Sequence, residues 1–293
     1  VEANEKLSGT ESATLTLTGG KGTNGGEQSK YVSIEVNGCA PGGLEELDGD
    51  AACPNPRDPK KAVFAWEATL DPNYGEERMI VTANPYATDI GAAILRGGGT
   101  AADAMVAAQA VLGLVEPQSS GMGGGGFLVW YDSKSGELTT LDGRETAPLL
   151  ANDRLFQNHN GEPIKFWDAV IGGRSVGVPG MPALLELAHS KWGKVQWADL
   201  FKQATALAEH GFIVSDRLSG LLEHEHTRMS SSTKAKSYFF PKGQPLAQGE
   251  VLINREYADL MRQLADHGSD IFYFGPIADA IVYKVRENKR NPG

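Results

Sequence analysis

The 293-residue chain lacks several features that mark common classes of protein. The uncharged stretch over residues 104–115 is well short of the roughly 20 apolar residues that a membrane-spanning helix needs. No basic, apolar leader stands at Val1, so we expect that any signal peptide has been removed or never existed. We find no internal repeat, and no low-complexity tract outside the N-terminal arm. These absences favour an ordinary globular protein with no membrane span.

Cysteine is scarce. Only two cysteines occur, Cys39 and Cys53, and both lie in the polar N-terminal arm. Such a close pair favours a single disulfide that closes a short loop in an oxidising compartment, and therefore a periplasmic or secreted protein. Two free thiols in a cytosolic tail are the alternative. No histidine is near either cysteine, so the pair does not fit a zinc site, and we expect no bound metal.

Positive charge is also in deficit, because the formal net charge is -10 at pH 7. This balance argues against nucleic acid or an anionic membrane surface as the main partner. Hydrophobic residues make up 41% of the chain and charged residues 22%, which is typical of a soluble globular protein with ample material for a core.

Composition changes along the chain and predicts two regions. Residues 1–61 are rich in glycine, serine, threonine and acidic residues, and they have too few apolar side chains to offset the entropy of ordering. We predict an irregular arm with a short strand over residues 31–36. Residues 62–293 have the periodic apolar pattern of a folded domain.

The folded region begins with a predicted strand and two helices. Residues 79–83 are apolar and β-prone, which predicts a short buried strand. Pro85 precedes a helix over residues 89–95 that three glycines end. Thr100 and Asp103 form a capping-box pattern for a second helix, which is alanine-rich through about residue 114. Small side chains on several faces predict that this helix is central and buried.

A β-hairpin is predicted after a glycine-dense turn. The turn contains Gly121 and residues 123–126, and it leads into the apolar run 127–131; a polar tip then returns the chain into residues 138–141. The turn has no following Lys-Ser/Thr and leads into a strand, so it does not match a phosphate-binding loop. Glycines here permit positive φ angles and close backbone packing.

Arg144 follows the hairpin directly and is the candidate substrate-binding residue. Its planar guanidinium can hold a small carboxylate through two parallel charge-assisted bonds, which a lysine cannot do. By spacing alone, an ordinary ion pair with Asp142 or Glu145 is favoured over ligand binding.

Further helices are predicted in the second half of the chain, after a loop-rich stretch over residues 148–180. Their terminating glycines and capping residues place them at about 182–191, 197–210, a short one after Ser215, 254–267 and 277–287. Residues 223–226 read Glu-His-Glu-His, but residues two apart on a helix point in different directions. A solvated helix face is therefore favoured there over a metal site.

The chain resembles a known family in an ordered series of motifs. RGGGTAADAMVAAQAVLGLVEPQSSGMGGGGF and DGRETAP are similar to the large-subunit motifs of the gamma-glutamyltransferases, also called gamma-glutamyltranspeptidases. The resemblance continues through VGVPGMPALLELAHSKWGK, AEHGFIVSD and DIFYFGPIADAI, and thus covers roughly residues 79–291. One departure is Asn84, where the family more often has histidine before the proline; we expect it to affect the helix entrance more than the chemistry.

This resemblance implies a fold, an activity and a partner. Family members are N-terminal-nucleophile hydrolases of α+β class, with an αββα sandwich that this chain would supply only in part. A precursor cleaves itself to expose a threonine at the start of a small subunit, and that threonine attacks the gamma-glutamyl carbonyl. Glutathione is the usual donor, water or an amino acid or peptide is the acceptor, and no cofactor is implied. Arg144 would bind the α-carboxylate of the donor.

The nucleophile, the oxyanion-hole donors and most glutamyl contacts of the family lie beyond the stretch that this chain matches. We therefore expect no catalytic residue in this chain, and we expect it to be inactive and poorly soluble by itself. Two alternatives remain open: a glutaryl-type acylase of the same fold, and a non-catalytic secreted binding protein derived from the large subunit.

Overall fold

The computed structural model describes residues 78–230 and 232–287. The chain divides into two units, Val1–Pro72 and Asn73–Gly293, and every described residue belongs to the second. The predicted arm over residues 1–61, its strand over residues 31–36 and the proposed Cys39–Cys53 disulfide lie outside the described residues, so they stay predictions.

Two capped helices begin the described region. Helix α1 (Pro85–Arg96) starts four residues earlier than predicted, because the side chain of Asn84 accepts a hydrogen bond from Tyr86 N and caps it there. Helix α2 (Ala101–Val115) starts at the predicted capping box: Thr100 accepts from the backbone of Asp103, whose carboxylate accepts from Thr100 N at 2.7 Å. The capping-box prediction is confirmed.

Helix α2 is the central element of the fold, as its alanines predict. Most of its side chains are buried. It packs against α1, α4 (Met181–Trp192), α5 (Lys202–His210) and the 3-10 helix Trp197–Phe201. The phenol of Tyr257 also donates a hydrogen bond to the backbone oxygen of Ala110 at 2.7 Å. Close approach on several sides requires the small side chains, because each additional methyl group would separate a neighbouring backbone from the helix.

The predicted hairpin is confirmed. Strands β1 (Gly126–Asp132) and β2 (Glu137–Gly143) pair antiparallel, with Leu128 opposite Leu141 and Gly126 opposite Gly143. One face packs on helix α4 (Met181–Trp192), where the ring of Trp130 stacks on that of Trp192 with centroids 4.6 Å apart. The other face exposes Phe127, Val129 and Tyr131.

The second half of the described chain is mainly helical, and the helix predictions hold there within a few residues. The predicted helix at 197–210 is the 3-10 helix Trp197–Phe201 followed by α5, and the one after Ser215 has 14 residues. The loop-rich stretch contains one short helix, α3 (Phe166–Val170). The elements that follow α4 are α5 (Lys202–His210), β3 (Phe212–Ile213), α6 (Asp216–Met229), α7 (Thr233–Phe239), β4 (Val251–Leu252), α8 (Arg255–His267) and α9 (Pro276–Arg286). Strand β3 pairs antiparallel with β4. Among the helices of the described residues, none is long and apolar enough to cross a bilayer.

The predicted buried strand over residues 79–83 is wrong. The segment pairs with no strand of the described residues, and Met79 and Val81 are each 66% exposed. Ile80 points the other way and packs against the core beside α1. The alternation of exposed and packed side chains is that of a half-buried strand, whereas a continuous apolar run predicted burial on both faces.

Candidate active site

A pocket of about 570 Å³ lies where the end of α2, the glycine-rich turn and the start of α4 meet. Backbone groups of the turn form much of its wall. Among its lining residues in the described part of the chain, Glu145 carries the charge. The lining consists of Gln109, Pro117, Gln118, Ser119, Ser120, Gly121, Gly123, Gly124, Gly125, Glu145 and Met181.

The turn is fastened to the start of helix α4 by two backbone hydrogen bonds. The carbonyl oxygen of Gly124 accepts from Gly180 N and from Met181 N, both at 3.0 Å. These amides belong to the first residues of a helix, where no partner is available inside the helix itself. The pocket wall and α4 are therefore held in one fixed arrangement.

Close packing, and not backbone conformation, requires glycine at Gly125 of the turn. A Cβ at Gly125 would lie 2.5 Å from the oxygen of Gly143 and 2.9 Å from the Cα of Arg144. A Cβ at Gly180 would also meet the oxygen of Gly143. None of Gly121 and residues 123–126 has a positive φ, so that part of the prediction is wrong. The close-packing part is confirmed at Gly125.

Arg144 therefore emerges from the end of β2 with its backbone held on two sides by glycines. Its amide N donates to Oδ1 of Asp142 at 2.9 Å, which fixes the turn out of the strand. The side chain is 69% exposed, and its Nε lies 3.3 Å from Oε2 of Glu145. The ion pair that the sequence left open is thus formed with Glu145. The guanidinium retains further N–H groups that a ligand carboxylate could use.

Glu116 is a site residue that the sequence analysis missed. It ends helix α2 directly before the pocket rim, and its side chain is 2% exposed. Its carboxylate accepts from Asn84 Nδ2 at 2.8 Å, Gln118 Nε2 at 2.5 Å and Arg217 Nη1 at 2.7 Å. Nothing in the sequence around Glu116 indicates that its side chain is buried. Its partner Arg217 lies 101 residues further along the chain, so no local spacing connects the two. Asn84 therefore does more than cap α1.

Two other motifs do not form sites. Within residues 223–226, the ring of His226 packs edge-on against Phe240 at 4.8 Å, and no cluster of described residues could hold a metal ion. Residues 173–177 read G-x-S-x-G, the pattern of a nucleophile elbow, and its first three residues are the segment Gly173–Ser175. It forms a 3-10 turn, and Ser175 Oγ donates to the oxygen of Val170 at 2.6 Å. A nucleophile elbow needs a strand-to-helix turn, whereas this 3-10 turn follows helix α3.

Two tyrosines that pack in the core have phenols with a raised pKa. Burial raises the pKa of Tyr257, whose hydroxyl contacts α2 beside Gly113. Burial likewise raises the pKa of Tyr238 to about 12, although a hydrogen bond with Asn254 opposes the shift. Both groups are neutral at ordinary pH, and their role is in packing.

Comparison with known proteins defines the class. The family model described as gamma-glutamyltranspeptidase matches residues 87–291, and the chain belongs to this family. It is 37% identical over 228 residues to the glutathione hydrolase proenzyme of Bacillus subtilis (strain 168), covering 78% of this chain and 39% of the relative. It is 32% identical over 223 residues to the glutathione hydrolase proenzyme of Escherichia coli (strain K12), covering 76% and 38%. The chain thus spans about two fifths of the length of these relatives.

Solved structures agree on the fold. The gamma-glutamyltranspeptidase of Helicobacter pylori superposes with a TM-score of 0.69 at 32% identity, over 72% of this chain and 60% of that one. The cephalosporin acylase of Bacillus halodurans superposes with a TM-score of 0.58 at 28% identity, over 69% and 38%. The expected fold class, the α+β N-terminal-nucleophile hydrolase fold, is confirmed. The described residues supply helices, one β-hairpin and the β3–β4 pair as one part of it.

Proposed function

We propose that this chain is the large-subunit portion of a gamma-glutamyltransferase that acts on glutathione and related gamma-glutamyl compounds. The observation that carries the proposal is the position of Arg144. Glycines pack on its backbone, its guanidinium is exposed, and its neighbour Glu145 lines a pocket formed by the family's glycine-rich turn. Arg144 would bind the α-carboxylate of the donor through its planar fork of N–H groups.

The chemistry would be completed by a threonine at the start of a small subunit. Its hydroxyl oxygen forms a bond to the gamma-carbonyl carbon while its own α-amine accepts the proton. The amide C–N bond then breaks, and the leaving amine takes up a proton. Water or the amine of an amino acid or peptide next attacks the gamma-glutamyl ester and releases the threonine. The residues of this chain would bind and orient the donor, and none would act as nucleophile.

Processing and location follow from the same proposal. The two bacterial relatives are named proenzymes, a word that denotes a precursor, and this supports maturation into two chains. A periplasmic or secreted location fits the proposed Cys39–Cys53 disulfide, because such bonds persist in oxidising compartments. Nucleic acid is not expected as a partner, given the net charge of -10.

Intact-mass analysis with N-terminal sequencing of the protein purified from its native source tests the proposal. A co-purifying chain that begins with threonine supports a processed heterodimer. Recovery of a single chain without gamma-glutamyl hydrolysis would reject it and leave the secreted binding protein as the explanation.

A glutaryl-type acylase is the second candidate, and the similarity to the cephalosporin acylase of Bacillus halodurans favours it. Glutaryl groups keep a terminal carboxylate but lack the α-amine, so Arg144 alone does not distinguish them. Hydrolysis of gamma-glutamyl anilide compared with glutaryl anilide separates the two functions. Faster turnover of the glutaryl compound would establish the acylase.

A further inference from the structure

The carboxylate of Glu116 joins three separate helices. Asn84, which donates to it, caps the start of α1; Glu116 itself ends α2; and Arg217, which pairs with it, lies in the first turn of α6. A carboxylate that is 2% exposed is stable in its charged form only when paired and hydrogen-bonded. Asn84, Gln118 and Arg217 supply those bonds.

The same residues hold the rim of the pocket. Gln118 and Ser119 line the pocket; the first donates to the carboxylate of Glu116, and the Oγ of the second accepts from Arg217 Nη2 at 3.1 Å. The backbone oxygen of Glu116 also accepts from Ser119 N at 3.0 Å and from Ser120 N at 2.9 Å. Side-chain and backbone bonds from one residue therefore fix the turn over residues 116–120.

We propose that Glu116 and Arg217 are positioning residues that hold the pocket rim, through Gln118 and Ser119, in the arrangement that binds the gamma-glutamyl donor. This inference rests on the proposed function. Neither residue needs to touch the donor, because Arg217 acts through Ser119 and Glu116 acts through Gln118 and the backbone of the rim.

The substitution Arg217→Lys distinguishes two roles of Arg217: positioning Ser119 at the pocket rim, and neutralising the buried carboxylate of Glu116. A lysine ammonium can still pair with Glu116, but it lacks the fork that reaches Ser119 at the same time. In the complete, active enzyme we expect thermal stability close to wild type, a donor KM raised about 3- to 10-fold as for one lost hydrogen bond, and little change in kcat. In a Ser119→Ala background, the same substitution should leave KM unchanged, since the contact is already absent.

Glu116→Gln should have the larger effect. Oε1 of Glu116 accepts from Asn84, whereas Oε2 accepts from both Gln118 and Arg217. An amide nitrogen in place of Oε2 would face these two donors, so both contacts to residue 116 would be lost. We expect the donor KM to rise at least about tenfold and the amides of Ser119 and Ser120 to exchange hydrogen faster.

Asp103→Asn is the matched control. Asp103 is a fully buried carboxylate at the opposite end of α2, where it accepts from Thr100 N and from Lys194 N. The control should lose stability without changing donor KM or exchange at the rim.

Equal KM changes in Asp103→Asn and Glu116→Gln, or additive effects of Arg217→Lys and Ser119→Ala, would overturn the positioning role in an active enzyme. Absence of gamma-glutamyl hydrolysis in the wild type would instead overturn the proposed function, and with it the donor named here.

Discussion

The guanidinium of Arg144 and the carboxylate of its neighbour Glu145 form an ion pair, with Nε and Oε2 3.3 Å apart. Both side chains lie at the surface, so the pair itself adds little to stability. Its effect is local: Glu145 holds the guanidinium near a pocket that Glu145 also lines. A donor carboxylate would have to share the guanidinium of Arg144 with Glu145, or displace the carboxylate of Glu145 from it.

Neutralising Glu145 should therefore favour donor binding. In Glu145→Gln, the guanidinium loses a competing charge while the residue keeps its size. We expect the donor KM to fall by about 1.5- to 5-fold, the range set by an exposed ion pair. Steady-state kinetics at low salt measures this, and the difference should shrink at high salt because screening weakens the pair. A KM that rises would mean that Glu145 itself binds the donor.

The packing of Gly125 on the Arg144 segment predicts a specific steric effect. In Gly125→Ala, the new methyl group would overlap the oxygen of Gly143 and crowd the Cα of Arg144. We expect a loss of about 1–3 kcal/mol in the free energy of unfolding, together with weaker donor binding. Gly123→Ala is the control, because a Cβ there meets no atom within 4 Å. Urea denaturation should find the control within about 0.5 kcal/mol of wild type.

Alkaline pH should destabilise the protein through its buried phenols. Burial raises the folded-state pKa of Tyr238 from 10.0 to about 12, so the folded state retains a proton that the unfolded state releases. The resulting stabilisation is complete below pH 10 and is lost as the pH rises toward 12. Tyr238→Phe should therefore show a shallower fall in unfolding free energy across that window. Parallel curves for the two proteins would contradict the pKa shift.

The sequence predicts local features well wherever neighbouring residues determine them. The capping box of Thr100 and Asp103 acts over a few residues, as do the two β-prone runs on either side of the polar hairpin tip, and both predictions were confirmed. The burial of α2 was also predictable, because a helix with so many alanines is typical of one that neighbouring elements approach closely on several sides.

Features that depend on distant partners were not predictable. Residues 79–83 have β-prone composition, but a strand exists only where another strand pairs with it. The burial of Glu116 depends on Arg217, and no spacing rule connects them. The prediction of positive φ angles in the glycine-rich turn was wrong. Glycine can be required either by a positive φ or by close packing, and the sequence alone does not separate the two reasons; at Gly125 the reason is close packing.

The most direct test of the account compares two donors in wild type and in Arg144→Ala. One is a gamma-glutamyl anilide with a free α-carboxylate, and the other is the same compound with an α-carboxamide. If Arg144 binds the carboxylate, the substitution should cost about 2–4 kcal/mol in kcat/KM with the first donor. The second donor should be almost unaffected, and the mutant should no longer distinguish the two. An equal loss with both donors, or no loss with either, would contradict the assignment of Arg144 to the donor carboxylate.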